Sequence, residues 1–139
     1  MLKVHHLENS RSQRVLWLLE ELGVDYEIVR YERDKKTNLA PPALKKVHPL
    51  GKSPVIEDRG QVIAETGAII EYILDHYGEG RLRPAPDAAN FERYRYWSYA
   101  AEGSYMTPLL LLLILSRMET GAPFFIRPVA KKMVEAVRD

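Results

Sequence analysis

The chain has 139 residues, of which 46% are hydrophobic and 28% are charged, a balance that is ordinary for a soluble globular protein. Its 20 basic and 19 acidic residues leave a net charge of +1, which favours neither nucleic acid nor an anionic membrane as a partner. The sequence has no cysteine, so disulfides, thiolate zinc sites and cysteine nucleophiles are excluded.

The first half of the chain alternates short β-like runs with helical periodicity. From Leu2 to Tyr77 the order is β-α-β, a connecting stretch, and then β-β-α. The first helix has one apolar face, and Gly23 is expected to end it. Residues Asp25–Tyr31 are predicted to form the second strand, and Asn38–Val47 contains a short exposed helix. This alternation predicts an α/β layer.

Glycines and prolines between Gly78 and Asp87 mark the best domain boundary. We therefore predict a first domain over residues 1–80, a linker over 81–87 and a helical region over 88–139.

The helical region begins with a long aromatic and leucine-rich helix that extends to Ser116. Pro108 is expected to bend or interrupt it. The run Leu109–Leu115 is shorter than the ~20 apolar residues that span a bilayer, so we expect it to be buried in a core or an interface. A turn at 121–123 and an amphipathic helix over 128–137 follow.

A proline-bearing strand entry is followed by a polar helix start. The Ser53-Pro54 bond precedes an apolar strand, where proline either caps a strand edge or adopts the cis form. A cis bond is expected to leave the backbone of Val55 facing outward. Glu65 and Thr66 follow the next strand, and Thr66 is predicted to be an N-cap beside unsatisfied amide donors. The pattern indicates an anion pocket next to a peptide-binding edge.

Four segments, in order, resemble the soluble glutathione transferases: Lys3–Leu7, Asn9–Leu22, the proline loop and the Glu65-Thr66 helix start. The likeness is to serine-type enzymes of the branch shared by fungi and bacteria, and it extends to Ala40–Gly51. It implies an α/β thioredoxin-like N-terminal domain followed by a partial all-α domain. The family's complete helical bundle is longer than the region present here, so we expect a fragment, a truncated form or a degenerate gene product.

Ser10 is the first candidate for the catalytic residue. From the residues alone, Ser10 with Gln13 fits a capping box. Serine-type transferases place their activating hydroxyl four residues before an arginine, and Ser10 precedes Arg14 by that spacing. The resemblance therefore implies that Ser10 activates the glutathione thiol. Ser12 is the runner-up, and Arg11 either adds positive potential or faces solvent.

The resemblance also implies how glutathione is held. Thr66 and Glu65 bind the γ-glutamyl end, and Val55 pairs through its main chain with the cysteinyl residue. Lys52 either meets the glycyl carboxylate or is a solvated lysine, and His48 either borders the site or bonds only its own loop. The predicted glutathione-binding residues are Lys52, Ser53, Pro54, Val55, Glu65, Thr66 and His48.

The resemblance implies an enzyme that conjugates glutathione to small hydrophobic electrophiles or reduces peroxides, with glutathione as co-substrate. The resemblance implies a homodimer. A cytoplasmic location is expected, because the N-terminal segment lacks the long apolar core of a secretory signal. His5 and His6 point to opposite faces of a strand, so no metal site is expected. The alternatives are a non-catalytic glutathione-transferase-like module that serves protein contacts, or an inactive relic.

Overall fold

Two units, Met1–Ala88 and Ala89–Asp139, make up the chain, and the computed structural model describes residues 1–121, 123 and 125–138. The elements of the first unit are β1 (Leu2–Leu7), α1 (Ser12–Leu22), β2 (Tyr26–Tyr31), α2 (Ala43–Val47), β3 (Val55–Asp58), β4 (Gln61–Ala64) and α3 (Thr66–Tyr77). Those of the second are α4 (Phe91–Ala100), a π-helical segment (Ala101–Met106), α5 (Thr107–Gly121) and α6 (Arg127–Arg138).

The first unit is built on a four-stranded sheet with the order β2-β1-β3-β4. β1 is parallel to β2 and antiparallel to β3, and β3 is antiparallel to β4. Helices α1 and α3 contact each other, and both contact the sheet. This arrangement confirms the predicted α/β order. The fully buried apolar residues of the core are Val4, Val15, Leu19, Leu44, Ile56, Ile69 and Ile73.

Positive φ angles occur where the chain must turn sharply. Gly23 has a φ of 65° and ends α1, where its N–H bonds to the carbonyls of Leu19 and Glu20, as predicted. In the β3–β4 hairpin, Arg59 and Gly60 have φ angles of 49° and 78°. Two positive φ angles in succession are typical of the tight turns that match the twist of paired strands.

Pro108 does not interrupt the second unit's long helix, one of the two effects that the sequence left open. The helix continues through it, and the π-helical segment Ala101–Met106 lies directly before it. Proline removes one N–H and crowds the carbonyl four residues earlier, and the wider π-helical turn accommodates this locally. Thr107 Oγ1 donates to the carbonyl of Glu102 at 3.1 Å, which supplies a bond at that turn.

The leucine run on α5 is mostly exposed. Leu115 is buried, but Leu109, Leu113 and Ile114 are each about half exposed, so the core of this chain does not bury the whole run, and its burial in an interface stays a prediction. The run is apolar all round, whereas α5 contacts α6 and the π-helical segment within its own unit, and these neighbours leave part of its surface uncovered. Among the described residues, the continuous helix Phe91–Met118 is long enough and apolar enough to span a membrane, judged by length and composition alone. The predicted turn at 121–123 includes residue 122, which lies outside the described residues.

Candidate functional site

The strand register brings three loops to one end of the sheet. His5 pairs with Val55, and Val55 pairs with Ala64. The loop after β1, the loop before β3 and the connection from β4 to α3 are therefore neighbours. These loops, with the first residues of α1 and α3 that follow two of them, carry the predicted site residues Ser10, Arg11, Ser12, Ser53, Pro54, Glu65 and Thr66.

The start of α1 differs from the predicted capping box. The helix begins at Ser12 with Arg11, which is half-buried, at the N-cap position, and no side chain caps it. Ser10 therefore does not form the expected box with Gln13. Its Oγ instead accepts the N–H of Ser12 at 3.3 Å and contacts hydroxyls from other parts of the unit.

Ser10 and Ser12 form one connected hydroxyl pair. Their Oγ atoms are 2.7 Å apart, and the Ser12 Oγ is 2.8 Å from Nδ1 of His6. Ser12 is 0% exposed, whereas Ser10 is half-buried. Of the two candidate residues, only Ser10 therefore retains exposed surface in this structure.

Ser53 joins the same network from the other loop. Its Oγ donates to the carbonyl of His5 at 2.8 Å and accepts the N–H of Leu7 at 3.3 Å. It also lies 3.4 Å from the Oγ of Ser10. Sequence reasoning missed the contacts of His6 and of the Ser53 hydroxyl, which connect residues up to 48 positions apart.

The Ser53-Pro54 peptide bond is cis, one of the two forms that the sequence left open. The expectation that the Val55 backbone then faces outward is wrong. Val55 has a paired strand on each side, with partners His5 and Ala64. Because the N–H and C=O of a strand residue lie in the plane of the sheet, those of Val55 point at a neighbouring strand.

Glu65 and Thr66 also differ in detail from the prediction. Thr66 is the first residue of α3 and is buried, and Glu65 is the N-cap, again without a side-chain cap. Glu65 has a φ of 74° and a ψ of 124°, a conformation that costs energy for any residue with a Cβ. This backbone holds an exposed carboxylate directly before the amide donors that open α3.

Lys52 and His48 lie on the segment that leads to the cis bond. Lys52 is exposed, and His48 is half-buried. The ring of His48 accepts the N–H of Leu50 through Nδ1 at 3.4 Å, and its carbonyl accepts the N–H of Gly51 at 2.9 Å. His48 thus bonds its own loop, one of the two roles that the sequence left open.

The adjacent histidines have separate partners, as strand alternation requires. Nδ1 of His5 is 2.9 Å from the hydroxyl of Tyr31, and its Nε2 is 2.7 Å from a carboxylate oxygen of Glu57, whereas His6 contacts Ser12. Within the described ranges, no three His, Asp or Glu side chains gather where they could hold a metal ion.

The first 75 residues match the family model "Glutathione S-transferase, N-terminal domain". Over 99% of its length, the chain is 39% identical to "Glutathione S-transferase 1" of Saccharomyces cerevisiae and 38% identical to "Glutathione S-transferase 3" of Schizosaccharomyces pombe. It covers 61% and 56% of those two proteins, so it spans about three fifths of the length of these relatives.

The solved structures that resemble this chain are also glutathione transferases. A glutathione S-transferase from Actinobacillus pleuropneumoniae has a TM-score of 0.77 and 38% identity, with 99% of this chain and 62% of that one covered. The transferase URE2P8 from Phanerochaete chrysosporium, solved with oxidized glutathione, has a TM-score of 0.68 and 26% identity, with 98% and 63% covered. These relatives are fungal and bacterial, which agrees with the branch that the sequence resembles.

Proposed function

The chain belongs to the glutathione S-transferase family, and on this premise we propose that it binds glutathione at the end of the sheet where β1, β3 and β4 meet. The observation that carries the proposal is the partly exposed residue Ser10, whose hydroxyl lies in a bonded network beside the cis Ser53-Pro54 bond. The complete protein then directs the glutathione sulfur to small hydrophobic electrophiles, as in detoxification, or to peroxides.

Ser10 donates a hydrogen bond to the glutathione sulfur and favours its thiolate form. A free thiol has a pKa near ~8.5, and lowering it by about 2 units takes roughly 2.7 kcal/mol of preferential thiolate stabilisation. A hydrogen bond to a charged group contributes about 1.5–3 kcal/mol, so one hydroxyl supplies most of this requirement. Ser12 is fully buried and therefore acts behind Ser10 rather than on the sulfur. Arg11 at the helix start adds positive potential.

The γ-glutamyl end of glutathione binds at the start of α3. Its carboxylate meets the first amides of the helix and the hydroxyl of Thr66, and its ammonium meets the exposed carboxylate of Glu65. The backbone of Glu65 holds this carboxylate in place before the ligand arrives.

The cysteinyl backbone pairs with the peptide group of Ser53. Val55 is already flanked by two strands, whereas Ser53 precedes the first paired residue of β3. A ligand main chain can therefore extend the sheet edge at this point. Lys52, exposed next to it, meets the glycyl carboxylate.

The electrophile pocket and the oligomeric state concern the complete protein, because the relatives are longer than this chain. We propose that the complete protein is a cytoplasmic homodimer whose electrophile pocket includes helices outside the first unit. The proposed glutathione contacts, in contrast, all lie within Met1–Ala88.

Calorimetric titration of the folded 139-residue chain with reduced glutathione tests the proposal. Saturable binding is expected. Glu65→Gln should weaken it about tenfold, the equivalent of ~1.4 kcal/mol for one lost ion pair, whereas Glu32→Gln, an exposed carboxylate on the loop after β2, should not. Ser10→Ala should keep nearly the same affinity and raise the pKa of the bound thiol. A folded chain that does not bind glutathione would refute the proposal and favour the protein-contact module.

A further inference from the structure

His6 is the residue of the hydroxyl network to which the proposed function gives no role. Its Nδ1 lies 2.8 Å from the Oγ of Ser12, which in turn lies 2.7 Å from the Oγ of Ser10. The following inference rests on the proposed role of Ser10 as the thiol activator.

The three groups form a chain whose direction depends on His6. Each serine hydroxyl has one proton, and a neutral imidazole nitrogen is either a donor or an acceptor. If Nδ1 is an acceptor, Ser12 donates to it, and the 2.7 Å contact between the two serines is then a hydrogen bond only if Ser10 donates to Ser12. If Nδ1 carries a proton, it donates to Ser12, and Ser12 donates to Ser10, because its other acceptor, the carbonyl of Leu7, is farther away, at 3.5 Å.

Of the two directions that keep the 2.7 Å bond between the serines, only the second leaves the proton of Ser10 for a ligand. The Ser10 oxygen then accepts from the hydroxyl and the N–H of Ser12, and its own proton points away from them. The hydroxyl of Ser53 cannot donate to Ser10, because its proton bonds the carbonyl of His5 at 2.8 Å. It accepts from Ser10 across 3.4 Å, a long bond that an anionic sulfur replaces with a stronger one.

We propose that His6 is a positioning residue whose Nδ1–H sets the direction of a hydroxyl relay through Ser12 to Ser10. The relay keeps the Ser10 proton available to the glutathione sulfur. Because Ser12 is fully buried, water does not compete for its hydrogen bonds, and bonds in such a chain polarise one another. His6 thus lowers the pKa of the bound thiol without touching glutathione.

Two substitutions of His6 test whether its Nδ1–H donor, rather than the size of its side chain, lowers the pKa of the bound thiol. The amide nitrogen of Asn is one bond beyond Cγ, as Nδ1 is in His, so His6→Asn keeps a donor at this position. His6→Leu removes both donor and acceptor. His76→Leu is the matched control, because His76 is exposed on α3 and its Nδ1 bonds the carbonyl of Tyr72.

The readout is the ultraviolet absorbance of the bound thiolate as a function of pH, with glutathione affinity measured in parallel. His6→Leu should raise the pKa of the bound thiol by about 1 unit, while His6→Asn stays close to wild type. In a Ser10→Ala background, His6→Leu should have no further effect, since the relay has lost its last member.

The outcomes distinguish the relay from the binding site. If the wild-type chain does not bind glutathione, the proposed function and the relay both fail. If it binds, and His6→Leu leaves the thiol pKa unchanged or His6→Asn shifts it as much as His6→Leu, the relay alone is overturned. Nitrogen-15 NMR of the wild-type chain gives a second test that needs no variant. Neutral His6 should carry its proton on Nδ1, and a proton on Nε2 alone would contradict the relay.

Discussion

A buried carboxylate that joins β3 to α3 gives the sharpest prediction about stability. Asp58 is 4% exposed, and its Oδ2 accepts hydroxyl bonds from Tyr77 at 2.5 Å and Tyr72 at 2.9 Å. Arg59 lies 3.7 Å from the same oxygen. The end of the hairpin is thus tied to the helix by two bonds to a charged acceptor.

The magnitude follows from the charge and the burial of the acceptor. A hydrogen bond to a charged group contributes about 1.5–3 kcal/mol, so Tyr77→Phe should lower the free energy of unfolding by roughly 2 kcal/mol. Asp58→Ala deprives two hydroxyls of their acceptor and should cost about 3 kcal/mol or more. Tyr26→Phe is the matched control, because Tyr26 donates to the exposed carboxylate of Glu20 at 2.6 Å, and an exposed bond of this kind contributes about 0–1 kcal/mol.

Urea unfolding of the full chain measures these differences. Circular dichroism follows both units, and a Trp97→Phe background leaves Trp17 on α1 as the fluorescent reporter of the first unit. Equal losses in the Tyr77→Phe and Tyr26→Phe variants would refute the reasoning, because the two bonds differ mainly in the burial of the carboxylate.

The same carboxylate predicts the sign of the pH dependence. Burial acts to raise the pKa of Asp58, but the hydroxyls of Tyr77 and Tyr72, together with Arg59, outweigh it and hold that pKa below its ordinary value. A lowered folded-state pKa contributes stability that is fully present above the unfolded-state pKa and is lost as the pH falls through the folded-state value. Acid titration below about pH 4 should therefore destabilise wild type more than Asp58→Asn.

Three further predictions concern other parts of the first unit. Leu44→Ala should cost about 2–5 kcal/mol in urea unfolding, because Leu44 is 0% exposed and anchors α2. Gly51→Ala should destabilise the chain by about 1 kcal/mol in the same assay, because φ is +58° there and a Cβ would lie 2.5 Å from the side chain of Lys45. The hydrogen bond to Glu20, aided by burial and by the carboxylate charge, raises the pKa of Tyr26 to about 12. The pKa values of Tyr31, Tyr72 and Tyr77 are also raised, by burial first, so spectrophotometric titration should show several late tyrosines, of which Tyr26→Phe removes one. The stability that Tyr26 contributes should be lost as the pH rises through its folded-state pKa.

The elements that could be predicted from the sequence are those whose signals are local. The apolar periodicity of α1 and the glycine that ends it can be recognised from residues close together in the sequence, and the structure confirms both the helix and its end at Gly23. The prediction of a capping box was wrong because the Ser10 hydroxyl bonds other residues, one of which, Ser53, lies 43 positions away in the sequence. Thr66 was displaced from the N-cap position for a backbone reason, since Glu65 takes a positive φ that residue type does not reveal.

The candidate site residues come from the sequence, and their role stays a prediction, whereas the hydrogen bonds that connect them could not be predicted. The order of motifs selected Ser10, Ser53 and Glu65, and strand register explains why their loops meet. His6 belongs to the Lys3–Leu7 segment that carries the family resemblance, but the sequence shows only that it is adjacent to His5 and not that it contacts Ser12. The exposure of the α5 leucines was missed for a related reason: a pattern reports that a helix is apolar, not which neighbours cover it.

One sequence signal for the hydroxyl network does exist, and it lies on the core face of α1. The buried residues of this helix are Ser12, Val15, Leu19 and Leu22, spaced as one apolar stripe that begins with a serine. A hydroxyl in such a position is costly unless it is bonded, and an apolar side chain would pack there without that requirement. The buried hydroxyl of Ser12 is hydrogen-bonded to His6 and Ser10, so a polar contact replaces an apolar one at this position on the core face of α1. Real proteins break local rules at functional sites, and a serine that interrupts a core stripe next to a partly exposed serine supports the proposed glutathione site.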